Sequence, residues 1–204
     1  MEAFKYSVGN TKVGDDTAIV NLRANCHRVF CQLPDCSYCY DLRMRKFRPT
    51  INPYREKQEK QWNELNPAQY TDRLKGVVYL EQITFIRLQE GGDFKNQGDV
   101  DKLNEIANRL IGVARLYTYT ARPDLNFTKR SENLVINGSG FMVDNEYRVV
   151  ERLTGTTGAV CQASCLGCML CKEKGGRTIE CLLRHAGKGK KMPSFDFIKE
   201  RGKA

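Results

Sequence analysis

The nine cysteines constrain this chain more than any other feature of its sequence, because they fall into two tight groups. One group lies at positions 26–39 and the other at 161–181, and the 121 residues between the groups contain none. The opening residues lack the basic and then apolar layout of a secretory signal, so we expect a cytoplasmic protein, in which stable disulfides are uncommon. Clustered thiols in a reducing compartment favour metal ligation over a disulfide framework.

The first cluster reads NCHRVFCQLPDCSYCY and contains Cys26, Cys31, Cys36 and Cys39. The last three have the spacing Cys-x4-Cys-x2-Cys, which also occurs in plant-type ferredoxins, and thiolates this close in one loop can converge on a single centre. Structural zinc sites more often pair two Cys-x2-Cys knuckles across a longer gap. An iron–sulfur cluster is therefore favoured, and zinc or purely structural cysteines are the alternatives.

The second cluster reads CQASCLGCMLC and contains Cys161, Cys165, Cys168 and Cys171. Its two successive Cys-x2-Cys steps resemble the bacterial ferredoxin run that wraps a 4Fe–4S cluster. A mononuclear zinc site rarely takes four ligands from eleven residues, although zinc is the alternative metal here too. Cys181 lies in the apolar run IECLL, which predicts a buried packing residue rather than a ligand.

Between the clusters, strand-like and helix-like segments alternate. ITFIRLQ at 83–89 predicts a strand, DVDKLNEIANRLI at 99–111 an amphipathic helix, and ARLYTYT at 114–120 another strand. The crossover in such a unit makes its two strands parallel. Further elements are expected as strands at 18–22, 134–138 and 146–153 and a polar helix at 54–65. We therefore expect an α/β fold, either a partial (β/α) barrel or an open parallel sheet, with ligands beyond the carboxyl ends of the strands.

Three local features of this region carry narrower expectations. KGVVYLEQ at 75–82 is a weaker strand candidate, and Asp99 suits the N-cap of the helix that follows. The strand at 83–89 ends on Gly91, Gly92 and Asp93. Asp93 has two interpretations, because it could cap the helix at 97–111 or face a ligand.

The chain is expected to have two parts: an α/β core at 1–155 with an N-terminal cysteine loop, and a cysteine-rich metal-binding extension with a basic tail at 156–204. No segment approaches the roughly 20 consecutive apolar residues that a membrane span needs, so no membrane partner is expected. The net charge is +9, and it is concentrated at 43–60, with a net of +5, and at 172–204, with a net of +6. These patches could attract nucleic acid or an anionic substrate, or serve as a solubilising surface.

The first cluster also resembles the radical-SAM signature, because an aromatic residue, Tyr38, directly precedes its last cysteine. That family has three residues between its first two cysteines, where this chain has four. In the family the cysteine loop follows the first barrel strand, and a Gly-Gly-Glu-type motif follows the second strand beside S-adenosylmethionine (SAM). The resemblance implies two groups of site residues: Cys31, Cys36 and Cys39 as ligands of a 4Fe–4S cluster, and Gly91, Gly92 and Asp93 beside SAM.

A series of short motifs runs along nearly the whole chain, at 7–13, 39–41, 92–94, 117–120 and 165–171, followed by His185. In this order the motifs resemble those of the gene product 88 family of phages and plasmids. The resemblance implies a phage or mobile-element origin, and with it the host cell cytoplasm and a host protein as a partner, but it implies no particular reaction. His185 is a candidate ligand or donor beside the second cluster, and a surface histidine is the alternative.

Two functions follow from these patterns. One is a radical-SAM-like enzyme with two 4Fe–4S clusters and SAM, acting on an unknown substrate that could be related to nucleic acid. The alternative is a non-enzymatic nucleic-acid-binding phage protein with structural iron–sulfur or zinc centres. The chain contains two histidines and no Gly-x-Ser-x-Gly, P-loop or complete Gly-x-Gly-x-x-Gly motif, so no catalytic residue is assigned.

Overall fold

The structure is a computed structural model that describes residues 2–9, 13–23, 44–45, 47–150, 152–153 and 159–182. The first cysteine cluster, His185 and the basic tail lie outside these ranges, so what the sequence predicts for them stays a prediction. The described residues include three helices and eight strands whose bounds can be given. In chain order they are β1 (Ser7–Val8), β2 (Thr17–Val20), α1 (Ile51–Glu64), α2 (Pro67–Glu81), β3 (Phe85–Leu88), α3 (Gln97–Arg109), β4 (Arg115–Thr120), β5 (Leu134–Ser139), β6 (Asn145–Val150), β7 (Ala159–Val160) and β8 (Thr178–Leu182).

All eight strands form one mostly parallel open sheet with the order β1-β2-β3-β4-β5-β6-β8-β7. Only the β1–β2 pair is antiparallel among the described pairs, and every pair from β2 to β7 is parallel. The predicted β3–α3–β4 unit is present, with Phe85 opposite Arg115 and Leu88 opposite Thr118. The predicted α/β class and parallel sheet are thereby confirmed.

The main core lies between the helices and one face of the sheet. Because side chains alternate along a strand, Ile86 and Leu88 of β3 and Leu116 of β4 point to this face and are fully buried. The predicted apolar face of α3 packs against them. Its five members all have no exposed surface: Val100, Leu103, Ile106, Ala107 and Leu110. Burying one such side chain stabilises the fold by about 2 kcal/mol, so this packing holds α3 over β3 and β4.

The segment at 75–82 is not a strand as its apolar run suggested, but the end of α2 and the residue that follows it. Asn66 caps the N-terminus of α2: its side chain accepts a hydrogen bond from the N–H of Gln69, whose side chain accepts one in return. Pro67 occupies the first helical position, which suits its fixed backbone angle. The capped start and the buried side chains of Leu74 and Val77 favour a helix over the local strand pattern.

The N-cap of α3 is Asn96 rather than Asp99. The Asn96 side chain accepts a hydrogen bond from the N–H of Asp99, at 3.2 Å. Asp99 lies in the first turn, where its carboxylate accepts bonds from the Trp62 indole at 2.8 Å and the Lys95 N–H at 2.7 Å. A carboxylate there still complements the positive end of the helix dipole, so the predicted favourable charge is present but three residues inside the cap.

None of the helices in the described ranges is long and apolar enough to cross a membrane.

Candidate cofactor and metal-binding site

The carboxyl ends of β2 and β3 are joined by the side chain of Asn21. Its Oδ1 accepts hydrogen bonds from the N–H groups of Glu90 at 2.9 Å and Gly91 at 3.2 Å. Its Nδ2 donates to Gln58 of α1 at 2.9 Å, which fixes the orientation of the amide. The Gly-Gly-Asp turn after β3 is therefore fastened to the end of β2, the strand that leads toward the first cysteine cluster.

Gly92 brings this turn into direct contact with the backbone after β2. Its φ is +85°, and a Cβ built on it would lie 2.7 Å from the carbonyl oxygen of Arg23. Both the left-handed backbone and the close approach require glycine. Arg23 lies three residues before Cys26. The turn that the radical-SAM resemblance implies beside SAM therefore packs against Arg23, just before the predicted cysteine loop.

Asp93 ties the same turn to the end of β4. Its carboxylate accepts hydrogen bonds from the Thr120 hydroxyl at 2.6 Å, the Ala121 N–H at 2.7 Å and the Phe94 N–H at 2.8 Å. Burial raises the pKa of the Asp93 carboxyl, whereas these three donors and nearby Arg122 act to lower it. The helix-capping interpretation is wrong, because Asn96 caps α3. Asp93 joins neighbouring strand ends instead, and its proximity to a ligand stays a prediction.

The face of the sheet opposite the helices carries a set of aromatic and polar side chains, here called the tyrosine face. Along β3, Phe85 and Arg87 alternate with the core residues, and Arg87 lies opposite Tyr117 of β4; the buried Gln89 follows at the end of the strand. The rings form edge-to-face pairs, with centroids 6.3 Å apart for Tyr117–Tyr119 and 5.2 Å apart for Tyr119–Tyr147. The members of the tyrosine face are Phe85, Arg87, Gln89, Tyr117, Tyr119, Val135, Asn137, Asn145 and Tyr147.

The second cysteine cluster lies on the tyrosine face. Asn137 Nδ2 donates to the carbonyl of Cys171 at 3.0 Å, and Asn145 Nδ2 donates to the carbonyl of Glu173 at 2.8 Å. Met169 packs against the aromatic residues of this face, and the ammonium of Lys172 lies 4.0 Å from the centroid of the Phe85 ring. The sheet therefore holds the C-terminal half of the cluster through contacts with its backbone and with Met169 and Lys172.

The thiols of this cluster are close enough to influence one another. Burial raises the pKa of the Cys171 thiol to about 12, and the nearby thiols of Cys161, Cys165 and Cys168 contribute to this rise. The Tyr119 hydroxyl donates a hydrogen bond to the Cys171 sulfur and acts to lower the pKa. At neutral pH such a thiol is protonated unless a metal ion displaces its proton. In chemistry the sulfur donors fit an iron–sulfur cluster or zinc.

The positions of these sulfur donors, however, do not form a complete metal-binding site. No group of three or more His, Cys, Asp or Glu side chains within the described residues is arranged to hold a metal ion. Cys168 and Cys171 are free thiols, and all four predicted ligands are partly exposed. Cys181 is buried in β8, as its apolar surroundings predict. Metal binding by the second cluster therefore stays a prediction, as does that of Cys26, Cys31, Cys36 and Cys39.

Sequence reasoning did not single out Arg87 and Gln89, and it named Tyr117 only as part of the 117–120 motif; each of the three has a buried polar atom without a hydrogen bond among the described residues. Gln89 is 4% exposed and Tyr117 2% exposed, yet neither amide atom of Gln89 nor the hydroxyl of Tyr117 makes a hydrogen bond to any of the described residues. The buried Arg87 Nε also has none. The sequence contained a signal for Arg87, because Phe85 and Arg87 alternate with Ile86 and Leu88. A strand that turns Ile86 and Leu88 toward the core turns Phe85 and Arg87 to its opposite face.

These features define an α/β protein with an open, mostly parallel sheet, one face of which carries tyrosines, unpartnered polar groups and a cysteine cluster. Comparison of the chain with protein-family models, curated proteins and solved structures gives no match.

Proposed function

We propose that this chain is a radical-SAM-like iron–sulfur enzyme built on a partial (β/α) barrel. The observation that carries the proposal is the contact between the Gly-Gly-Asp turn and Arg23, at the carboxyl ends of two adjacent parallel strands. A ligand held between the cysteine loop and this turn would lie where ligands of parallel α/β sheets usually bind. The strand order from β2 to β6 supports the barrel, because consecutive strands of a (β/α) barrel are neighbours.

Each group of residues has a distinct part in this proposal. Cys31, Cys36 and Cys39, with Cys26 nearby, would hold the cluster that SAM approaches, and Cys161, Cys165, Cys168 and Cys171 would hold a second one. When bound, the first cluster would supply the electron that cleaves SAM. The chain itself supplies position: Asn21 and Asp93 fix the glycine turn between the ends of β2 and β4, so the backbone beside the cysteine loop is preorganised.

The proposal is tested on protein purified without oxygen. We expect a brown protein with about eight irons per chain, if both clusters are of the 4Fe–4S type, and formation of 5′-deoxyadenosine after addition of SAM and dithionite. Cys36→Ala should remove about half of the iron. Cys181→Ala is the matched control, because Cys181 is buried in β8 and should leave the iron content unchanged. Colourless protein without iron would refute the proposal.

A second candidate function, nucleic-acid binding with structural metal centres, is favoured by Phe47. Its side chain is 68% exposed in the basic region at 43–60, where an aromatic ring could stack on a base. Phe47→Ala should then weaken binding of single-stranded RNA or DNA several-fold, whereas the control Tyr79→Ala, which removes an 85% exposed ring from α2, should not. Salt-sensitive binding without 5′-deoxyadenosine formation would favour this function over the enzyme.

A further inference from the structure

The tyrosine face leaves hydrogen-bonding groups unsatisfied in a place from which water is largely excluded. Burying an amide or hydroxyl without a partner is unfavourable, and folded proteins keep few such groups. Within the described residues, Arg87 of β3 and Tyr117, which lies opposite it in β4, each present one such atom, and Gln89, which follows β3, presents two. Three such residues, on two adjacent strands and at the end of one of them, indicate partners that come from a bound molecule.

The backbone of Gln89 supports the same interpretation. Its φ is +62°, in the left-handed region that residues other than glycine rarely adopt, and its N–H is bonded to the carbonyl of Val20 at 2.9 Å. Such backbone conformations persist where the surrounding structure enforces them, and they cluster at ligand sites. The buried amide is thus held at the carboxyl end of β3, beside the Gly-Gly-Asp turn.

The chemistry of the three groups selects the ligand. An anion alone would leave the Gln89 carbonyl without a donor, and an apolar molecule would satisfy none of the groups. A glutamine amide pairs through two hydrogen bonds with adenine, which presents an N–H donor beside a ring nitrogen acceptor. The tyrosine rings provide the aromatic walls against which a base packs.

Arg87 adds a preference for a negative charge. Within the described residues it forms no salt bridge, and its guanidinium carbon lies 5.3 Å from the centroid of the Tyr119 ring. Side chains two positions apart on a strand are separated by about 7 Å, so Arg87 and Gln89 can contact different parts of one small ligand. Guanidinium groups bind phosphate through charge-assisted hydrogen bonds.

We infer that the tyrosine face binds an adenine nucleotide, with the base on Gln89 and Tyr117 and the phosphate on Arg87. The adenine nucleotide would be the substrate class of the proposed enzyme. That it reacts rests on the proposed function, whereas that it binds does not. The adenine of SAM has the same edge but SAM carries no phosphate, so the two sources of adenine can be told apart.

The test measures binding of AMP to the full chain, purified with its metal, by isothermal titration calorimetry. Gln89→Met removes two hydrogen bonds to the base and should weaken AMP binding about tenfold to a hundredfold. Tyr117→Phe removes one and should weaken it about tenfold. Gln82→Met and Tyr79→Phe are matched controls, because both residues are exposed and Gln82 has the same left-handed backbone, with φ +54°. The controls should bind AMP like the unchanged chain.

A merely structural role would give a different pattern. If the polar atoms serve a ligand, Gln89→Met and Tyr117→Phe should melt at the same temperature as the unchanged chain or higher in the absence of AMP, and retain the same iron content. Absence of AMP binding, loss of iron in these variants, or competitive displacement of AMP by SAM would each overturn the inference. Formation of 5′-deoxyadenosine is measured separately, so the proposed enzyme and its substrate class can fail independently.

Discussion

Replacement of Gly92 by alanine tests the contact on which the proposed function depends. An alanine at φ +85° destabilises the folded state by about 1–2 kcal/mol because its backbone is left-handed. About 0.4–1 kcal/mol of this is regained because alanine restricts the unfolded chain more than glycine does. Its Cβ would also lie 2.7 Å from the carbonyl oxygen of Arg23, and relieving such a contact costs about 1–3 kcal/mol. We therefore expect Gly92→Ala to lower the free energy of unfolding by about 2–4 kcal/mol.

Gly112→Ala is the matched control. Its φ is +76°, close to that of Gly92, but a Cβ there meets no atom within 4 Å. It should cost about 1 kcal/mol or less, which is the backbone term alone. Urea unfolding followed by far-ultraviolet circular dichroism measures both values, and the difference between them isolates the contact with Arg23.

The two variants should also differ in metal content. Because Gly92→Ala displaces the backbone that enters the predicted cysteine loop, it should lose iron from the first cluster under oxygen-free conditions, whereas Gly112→Ala should not. Equal stability and equal iron content in the two variants would refute the close packing of the turn against Arg23.

Three further substitutions test other parts of the structure. Asp93→Asn places an amide NH₂ where a carboxylate oxygen accepts hydrogen bonds, so unfolding in urea should require about 2 kcal/mol less, and an unchanged value would contradict the tie between the ends of β3 and β4. Asn137→Leu removes the hydrogen bonds to the carbonyls of Thr118 and Cys171 and should lower the iron content of the folded protein. Its control is Asn133→Leu, which breaks the bonds to the carbonyls of Ala107 and Ala114 and should destabilise the fold without changing the iron content per folded chain. Gly76→Ala should raise the unfolding free energy by about 0.5–1 kcal/mol, because Gly76 lies inside α2 and a Cβ there meets nothing within 4 Å, and a lower value would contradict the open surroundings.

The sequence by itself determined the local elements. The spacing of Val100, Leu103, Ile106 and Leu110 predicts the buried face of α3, and the apolar alternation at 83–89 predicts β3, because both periods are set by backbone geometry within a few residues. It also predicted that β3 and β4 are parallel, since a helix connects them. It misassigned 75–82, where the capping box at Asn66 outweighed a short apolar run.

The tertiary structure decided which of these elements meet and where the polar side chains point. Asp93 finds its partners 27 and 28 residues later, at the end of β4, and Gly92 is required by a carbonyl that lies 69 positions earlier. Neither relation has a local pattern, because contacts across a sheet depend on strand order and register. The same holds for Gln89, whose buried and unpartnered amide is visible only when the neighbouring strands are in place.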